Sequence, residues 1–226
     1  MLFRSTTTNT LGGNVSRYFR FFGTGTPCGE YQPNNGGADL LLTPGTPITS
    51  SSMQCGNAKA FYVTVPNTTD NWIFKSAGAT AQNIVVFRVQ GTVRTVSSVT
   101  QSPVSSSVRP GQSVTVTATL SGALATGQTP YLRYTTNNYS TSTVVAMTGS
   151  STTYTATIPA NAQSTAVSYY VFTSGATPAA DGSNADFFTI NLNNNSGSNY
   201  SYTVAAPAQY TWAGGASASY ATAASW

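Results

Sequence analysis

Between Ser113 and Phe172 the chain alternates apolar and polar residues with a period of two. Val114, Val116, Ala118 and Leu120 alternate with Thr115, Thr117 and Thr119. Tyr154, Ala156 and Ile158 alternate with Thr153, Thr155 and Thr157. Successive side chains of a strand point to opposite faces, so each run predicts a strand with one dry and one wet face. Clusters of Gly, Pro, Asn and Ser separate the runs at short intervals, as turns require. No window has the three-and-four apolar spacing of an amphipathic helix.

The same reading extends to both sides. Upstream, RYFRFF (Arg17–Phe22) predicts one strong strand with Phe19 and Phe21 on a common face. Shorter strands are expected at Leu40–Leu42, Phe61–Val65, Trp72–Lys75 and Ile84–Val89. Thr95–Arg109 reads as a Ser-rich extended connector, and Pro110-Gly111 as a tight turn. Downstream, Phe187–Leu192 and Asn199–Val204 predict the last strands, joined through NNNSGSN as a hairpin. The expected architecture is all-β, with two immunoglobulin-like antiparallel β-sandwich domains in tandem and extended terminal tails. The boundaries are an N-terminal tail at 1–15, domains at 16–95 and 96–205, and a C-terminal tail or donated strand at 206–226.

Composition narrows the habitat. Hydrophobic residues make up 40% of the 226, enough for a sizeable core, while charged residues are only 6%, against roughly 25% in ordinary soluble proteins. The net charge of +4 comes from nine basic and five acidic residues. The basic residues are scattered, which argues against a nucleic-acid footprint. No apolar run reaches the length of about 18 residues that a transmembrane helix needs. The first residues, MLFRSTTTNTLGG, lack the apolar core of a signal peptide, so a mature or partial chain is expected. The two cysteines, Cys28 and Cys55, are expected to pair in an oxidising compartment, which would stabilise by about 3 kcal/mol.

The catalytic inventory is thin. The chain has no His, which excludes a Ser-His-Asp triad. Its five acids are Glu30, Asp39, Asp70, Asp181 and Asp186, and the two that lie close in sequence fall in a Gly/Asn loop. No catalytic residue and no cofactor are assigned. Asp181, Asn184 and Asp186 form a weak calcium candidate through oxygen ligands, without the spacing of an EF-hand. Lys59 and Lys75 are the only lysines; one buried beside an Asn and an acid such as Asp70 could form an intramolecular isopeptide link, and the alternative is a lysine that reaches outward from its strand. Tyr134, Tyr139 and Trp212 are candidate sugar-stacking aromatics, with Tyr134 and Trp72 also expected as core. Tyr210, Trp212, Tyr220 and Trp226 mark a candidate assembly strand.

The segment YLRYTTNNYSTSTVVAMTGSSTTYTATIPA, followed by VSYYVFTSG, resembles modules of large secreted Bacteroidetes proteins exported by the type IX system. In those modules a motif of the form LRYxTxNWxTSxxVxM precedes YxAxIP and YYVF. Tyr139 stands here where Trp is common, and Arg109 where many relatives carry Cys before the Pro-Gly. NLNNNSGSNYSYTV is similar to their closing strands. YTWAGGASASYATAASW is similar to the opening of a further repeat. The type IX C-terminal sorting domain is not visible in this chain. The resemblance spans roughly 16–226 and implies a secreted, cell-surface setting. The expected function is a non-enzymatic structural subunit of a filament or repeat adhesin, self-assembling through β-strand contacts. The alternative is a carbohydrate-binding accessory module of a larger secreted polysaccharide-degrading enzyme. No nucleic-acid partner is expected, and polysaccharide is the candidate non-protein partner.

Overall fold

The computed structural model describes residues 2–7, 15–22, 29–65, 70–76 and 84–207. These residues form an all-β fold of several mostly antiparallel sheets packed as sandwiches. The N-terminal half holds β1 (Leu2–Thr7), β2 (Val15–Phe19), β3 (Phe21–Phe22), β4 (Glu30–Pro33) and β5 (Leu40–Leu41). It continues with β6 (Ile48–Thr49), β7 (Met53–Cys55), β8 (Phe61–Val65), β9 (Asp70–Ser76) and β10 (Ile84–Gln90). Three sheets result, in the orders β1-β9-β10-β6, β2-β8-β5 and β3-β4-β7.

RYFRFF is not one strand. It breaks at Arg20, whose guanidinium pairs with Glu30 at 2.6 Å. The first part pairs with β8 and the second with β4, in different sheets. The facing expectation holds, because Phe19 and Phe21 both pack on the core made by Leu42, Ile48, Phe61, Val63, Ile84 and Val86. Their rings meet edge to face at 5.7 Å, and Phe21 lies 5.3 Å from Phe61. Part of the N-terminal tail is a strand at a sheet edge. β1 pairs along its whole length with β9, from Leu2 opposite Lys75 to Thr7 opposite Asp70.

The C-terminal half holds β11 (Val96–Ser102), β12 (Val114–Leu120), β13 (Thr129–Thr135), β14 (Thr143–Ala146) and β15 (Thr148–Ser150). β16 (Thr153–Ile158), β17 (Ala166–Ser174), β18 (Thr189–Asn193) and β19 (Tyr200–Thr203) follow. One sheet runs β11-β12-β16-β15 and the other β14-β13-β17-β18, with β19 also on β17. This is the strand order of an immunoglobulin-type sandwich. The alternating residues behave as their period requires. Val114, Val116 and Ala118 are fully buried, with Leu120, Tyr154, Ala156 and Ile158 in the same core. Their Thr partners stand opposite each other on the outer face as Thr115–Thr157, Thr117–Thr155 and Thr119–Thr153, cross-strand pairs that reinforce the ladder. Pro110-Gly111 makes the expected turn, closed by Gln112 N–H donating to Arg109 O at 3.1 Å.

Three expectations fail here. The first half of the connector at Thr95–Arg109 is β11, which pairs with β12 and buries Val96 and Val99. The closing hairpin does not exist either. β18 and β19 both pair with β17 in the same direction, one after the other. They are one edge strand interrupted by a loop of left-handed residues, Asn195, Ser196, Gly197 and Asn199. The positive φ of these residues lets the loop bulge out and rejoin the same strand rather than reverse the chain. Phe187, expected to open the penultimate strand, lies in the short helix α1 (Ala185–Phe188).

The two halves meet across β10. Ile84 and Val86 face the N-terminal core, whereas Val85, Phe87 and Val89 face a second cluster with Ile73, Val93 and Ala176. Phe187, Phe188 and Ile190 pack against that second cluster, and Phe87 meets Phe188 edge to face at 5.7 Å. The buried Gln128 amide clamps the passage between halves. Its oxygen accepts from Arg94 N–H at 2.9 Å and its nitrogen donates to Arg94 O at 2.7 Å. Gly175 backs directly onto Phe87, and a Cβ there would lie 2.7 Å from the Phe87 Cβ. Gly175→Ala is expected to wedge the halves apart, destabilising by about 1–3 kcal/mol and splitting one urea-unfolding transition into two. A single unshifted transition would contradict this coupling.

Candidate functional site

The most concentrated polar chemistry lies on the outer face of the β13–β17 sheet. Alternation sends Leu132 into the core and Arg133 outward, yet Arg133 is 8% exposed. It is covered because the segment after β17 folds back across the sheet, bringing Ala185 against Tyr131, Val144, Tyr170 and Phe172, with Tyr139 packed on the rim. Three of the guanidinium's N–H donors find partners inside this cover. Nε donates to Ser142 Oγ at 2.9 Å, and one terminal nitrogen reaches both Tyr170 Oη and Asp186 Oδ1 at 2.9 Å. Tyr170 O–H donates to the same Asp186 oxygen at 2.8 Å. The cation also lies over two rings, 5.1 Å from the centroid of Tyr139 and 5.9 Å from that of Tyr170, a favourable quadrupole contact. Gly182, at φ +74, passes so close that a Cβ would clash with Ser142 Oγ and Arg133 Nε. Burial is the main reason the Tyr170 hydroxyl is pushed up to about 12, partly opposed by its bond to Arg133. Burial likewise raises Tyr139 well above the usual tyrosine range. The arrangement holds a positive charge in a fixed orientation and ties the covering segment to the sheet.

A second polar site lies at the junction of the halves. Lys75 of β9 donates through Nζ to Thr189 O and, at 3.2 Å, to Asp186 O. Burial lowers its pKa from the usual lysine value, against a smaller raising effect of Asp186. The ammonium stands at a cavity of about 370 Å³ whose lining includes Ile190 and Leu192. Asp70 is five residues away on the same strand, roughly 17 Å at strand rise, too far to serve as the acid beside Lys75 in an isopeptide link.

The sequence-predicted residues are dispersed. Tyr134 packs against the C-terminal core, as one of its two readings required. Tyr139, in the left-handed region at φ 63, buries its hydroxyl without a hydrogen-bond partner among the described residues, so it presents a half-buried ring rather than a polar handle. The calcium candidates turn to different partners. Asp181 accepts from Ser183 N–H at 2.9 Å, Asn184 from Ala179 N–H at 2.7 Å, and Asp186 from Arg133. A cation at this place would compete with the guanidinium for Asp186, and no metal-holding group of acids, His and Cys occurs among the described residues. Cys28, Tyr210, Trp212, Tyr220 and Trp226 lie outside the described residues. Cys55 ends β7 on an exposed position. Sequence reasoning missed Arg133 as an organising residue. The available signal was a lone cation on a strand in a chain with very few charges.

What fold and site define is a class, an all-β sandwich protein whose polar clusters brace its own loops. Comparison with protein-family models, curated proteins and solved structures finds no match.

Two outcomes follow from the Arg133 cluster. Asp186→Asn removes the carboxylate charge but leaves the two rings, Ser142 and Tyr170 around the guanidinium. Because Asp186 itself is mostly exposed (83% for the side chain), the expected cost is about 1–2 kcal/mol by urea denaturation, below the 3–5 kcal/mol of a fully buried pair. A cost above that would mean the carboxylate is desolvated. Tyr170 ionises near pH 12 when folded but near about 10 when unfolded. A raised folded value means stability is intact below pH 10 and falls as pH rises toward 12. Stability curves from pH 9 to 12 should show this loss, and Tyr170→Phe should reduce it.

Proposed function

We propose that this chain is a non-enzymatic extracellular structural protein, a subunit of a surface filament or repeat adhesin that assembles through β-strand contacts into a homopolymer. The observation that carries the reading is β1. The six-residue β1 supplies an outer strand to the β9–β10 sheet and, among the described residues, pairs on one side alone. Backbone pairing of this kind is indifferent to which copy of the chain provides the strand, so the same register made between copies links them. The low charge supports this reading, because little electrostatic repulsion opposes close lateral contact. The resemblance to secreted Bacteroidetes modules supports the extracellular setting, in which Cys28 and Cys55 would pair.

The test is negative-stain electron microscopy across a dilution series, comparing the whole chain with one lacking residues 1–14. Regular fibres from the whole chain, lost on truncation, are expected. Fibres of unchanged length from the truncated chain would eliminate strand exchange by β1, and dispersed monomers from both would eliminate assembly.

A further inference from the structure

The seam between the two sheets of the C-terminal sandwich, where β11 runs beside the interrupted edge strand, is closed at its ends and open in the middle. At one end the Asn191 and Asn193 amides donate to Arg94 O and Val96 O at 3.2 and 3.1 Å. At the other, Ala205 N–H donates to Val108 O at 3.0 Å. Between them lies a groove of about 430 Å³, within the range of about 300–1,000 Å³ usual for small-ligand sites.

Its lining combines three kinds of group. The Tyr200 ring stacks on Tyr169 at 5.5 Å and 22°, and its hydroxyl donates to Asn193 at 2.9 Å. Beneath it Tyr169 O–H donates to the Gln101 side-chain oxygen at 2.8 Å, and the Gln101 amide nitrogen donates to Pro103 O at 2.8 Å. Ring and amide are therefore held in place before any ligand arrives, which lowers the entropy cost of binding. The Asn199 amide and the Ser105 and Ser201 hydroxyls also line the groove and form no side-chain hydrogen bond among the described residues. No lining residue is charged.

We propose that this groove binds a neutral polysaccharide. A sugar ring offers an apolar C–H face to an aromatic ring and hydroxyls that both donate and accept, matching Tyr200 on one side and the free amide and hydroxyls on the other. An anionic chain would enter with charges that nothing in the groove pairs. This site is separate from Tyr134 and Tyr139. It goes beyond the assembly role proposed above and does not depend on it.

The experiment is affinity electrophoresis of the full chain in acidic native gels containing soluble starch, arabinoxylan or glucomannan, with alginate as the anionic control. Retardation by at least one neutral polysaccharide is expected, and it should persist at about 0.5 M salt, where exposed charge interactions are screened. Ser105→Trp, on an exposed turn at the groove mouth, should abolish it. Asn199→Gly, which keeps the left-handed backbone and removes the amide, should weaken binding on the order of tenfold. Thermal unfolding matched to the parent chain confirms that each variant is folded. The proposal is overturned by folded parent chain that none of the three retards, by retardation that both variants leave unchanged, or by salt-sensitive retardation in alginate alone. A second copy of the chain in the groove would show instead as self-association without retardation.

Discussion

Strand β10 is the constraint on which the rest depends. Its sequence, IVVFRVQ, is buried on both faces from Ile84 to Val89. A strand in a simple two-layer sandwich needs only one apolar face, and a continuous apolar run marks a strand covered on both sides. Here one side closes the N-terminal core and the other carries Phe87 into the C-terminal half. Displacing it would uncover two cores at once. The exception within the run, Arg88, is kept buried by backbone carbonyls, one of them Leu42 O at 3.2 Å, so its charge is solvated by the fold.

The polar clusters serve the same end. Arg133 and Lys75 lie on different halves, but both bind the segment around α1, Arg133 through the Asp186 carboxylate and Lys75 through the Asp186 and Thr189 carbonyls. That segment also supplies Phe187 and Phe188 to the junction. With so few charges in the chain, two of the cations are spent on bracing one loop. This leaves the outer surface to Thr, Ser and Asn, whose groups suit strand-to-strand contact and sugar hydroxyls alike.

Strands whose burial is one-sided were legible residue by residue, because alternation is a local property. The Val114–Leu120 and Tyr154–Ile158 runs needed nothing beyond their own period. The breaks were harder. Nothing within RYFRFF announces that Arg20 will leave the ladder, since its reason is Glu30, ten residues away. Val96–Ser102 looked like a linker because only Val96 and Val99 are apolar, and its strand state comes from pairing with β12. The apparent hairpin at NNNSGSN carried the right turn residues, yet local positive φ serves a bulge as well as a reversal. β17 provides one long edge that accepts both flanking segments.

By itself the sequence determined the class of structure: antiparallel β, a low-charge surface, and the faces on which Val, Tyr and Phe are buried. These follow from side-chain period and composition, which need no distant partner. Tertiary structure alone decided which strands share a sheet, that β1 joins β9, that Arg133 is buried, and that Gln101, Asn199 and Tyr200 meet at one groove. Each of these depends on residues far apart in the chain being brought within a few ångströms, and that proximity is set by the closure of two sheets rather than by any stretch of residues.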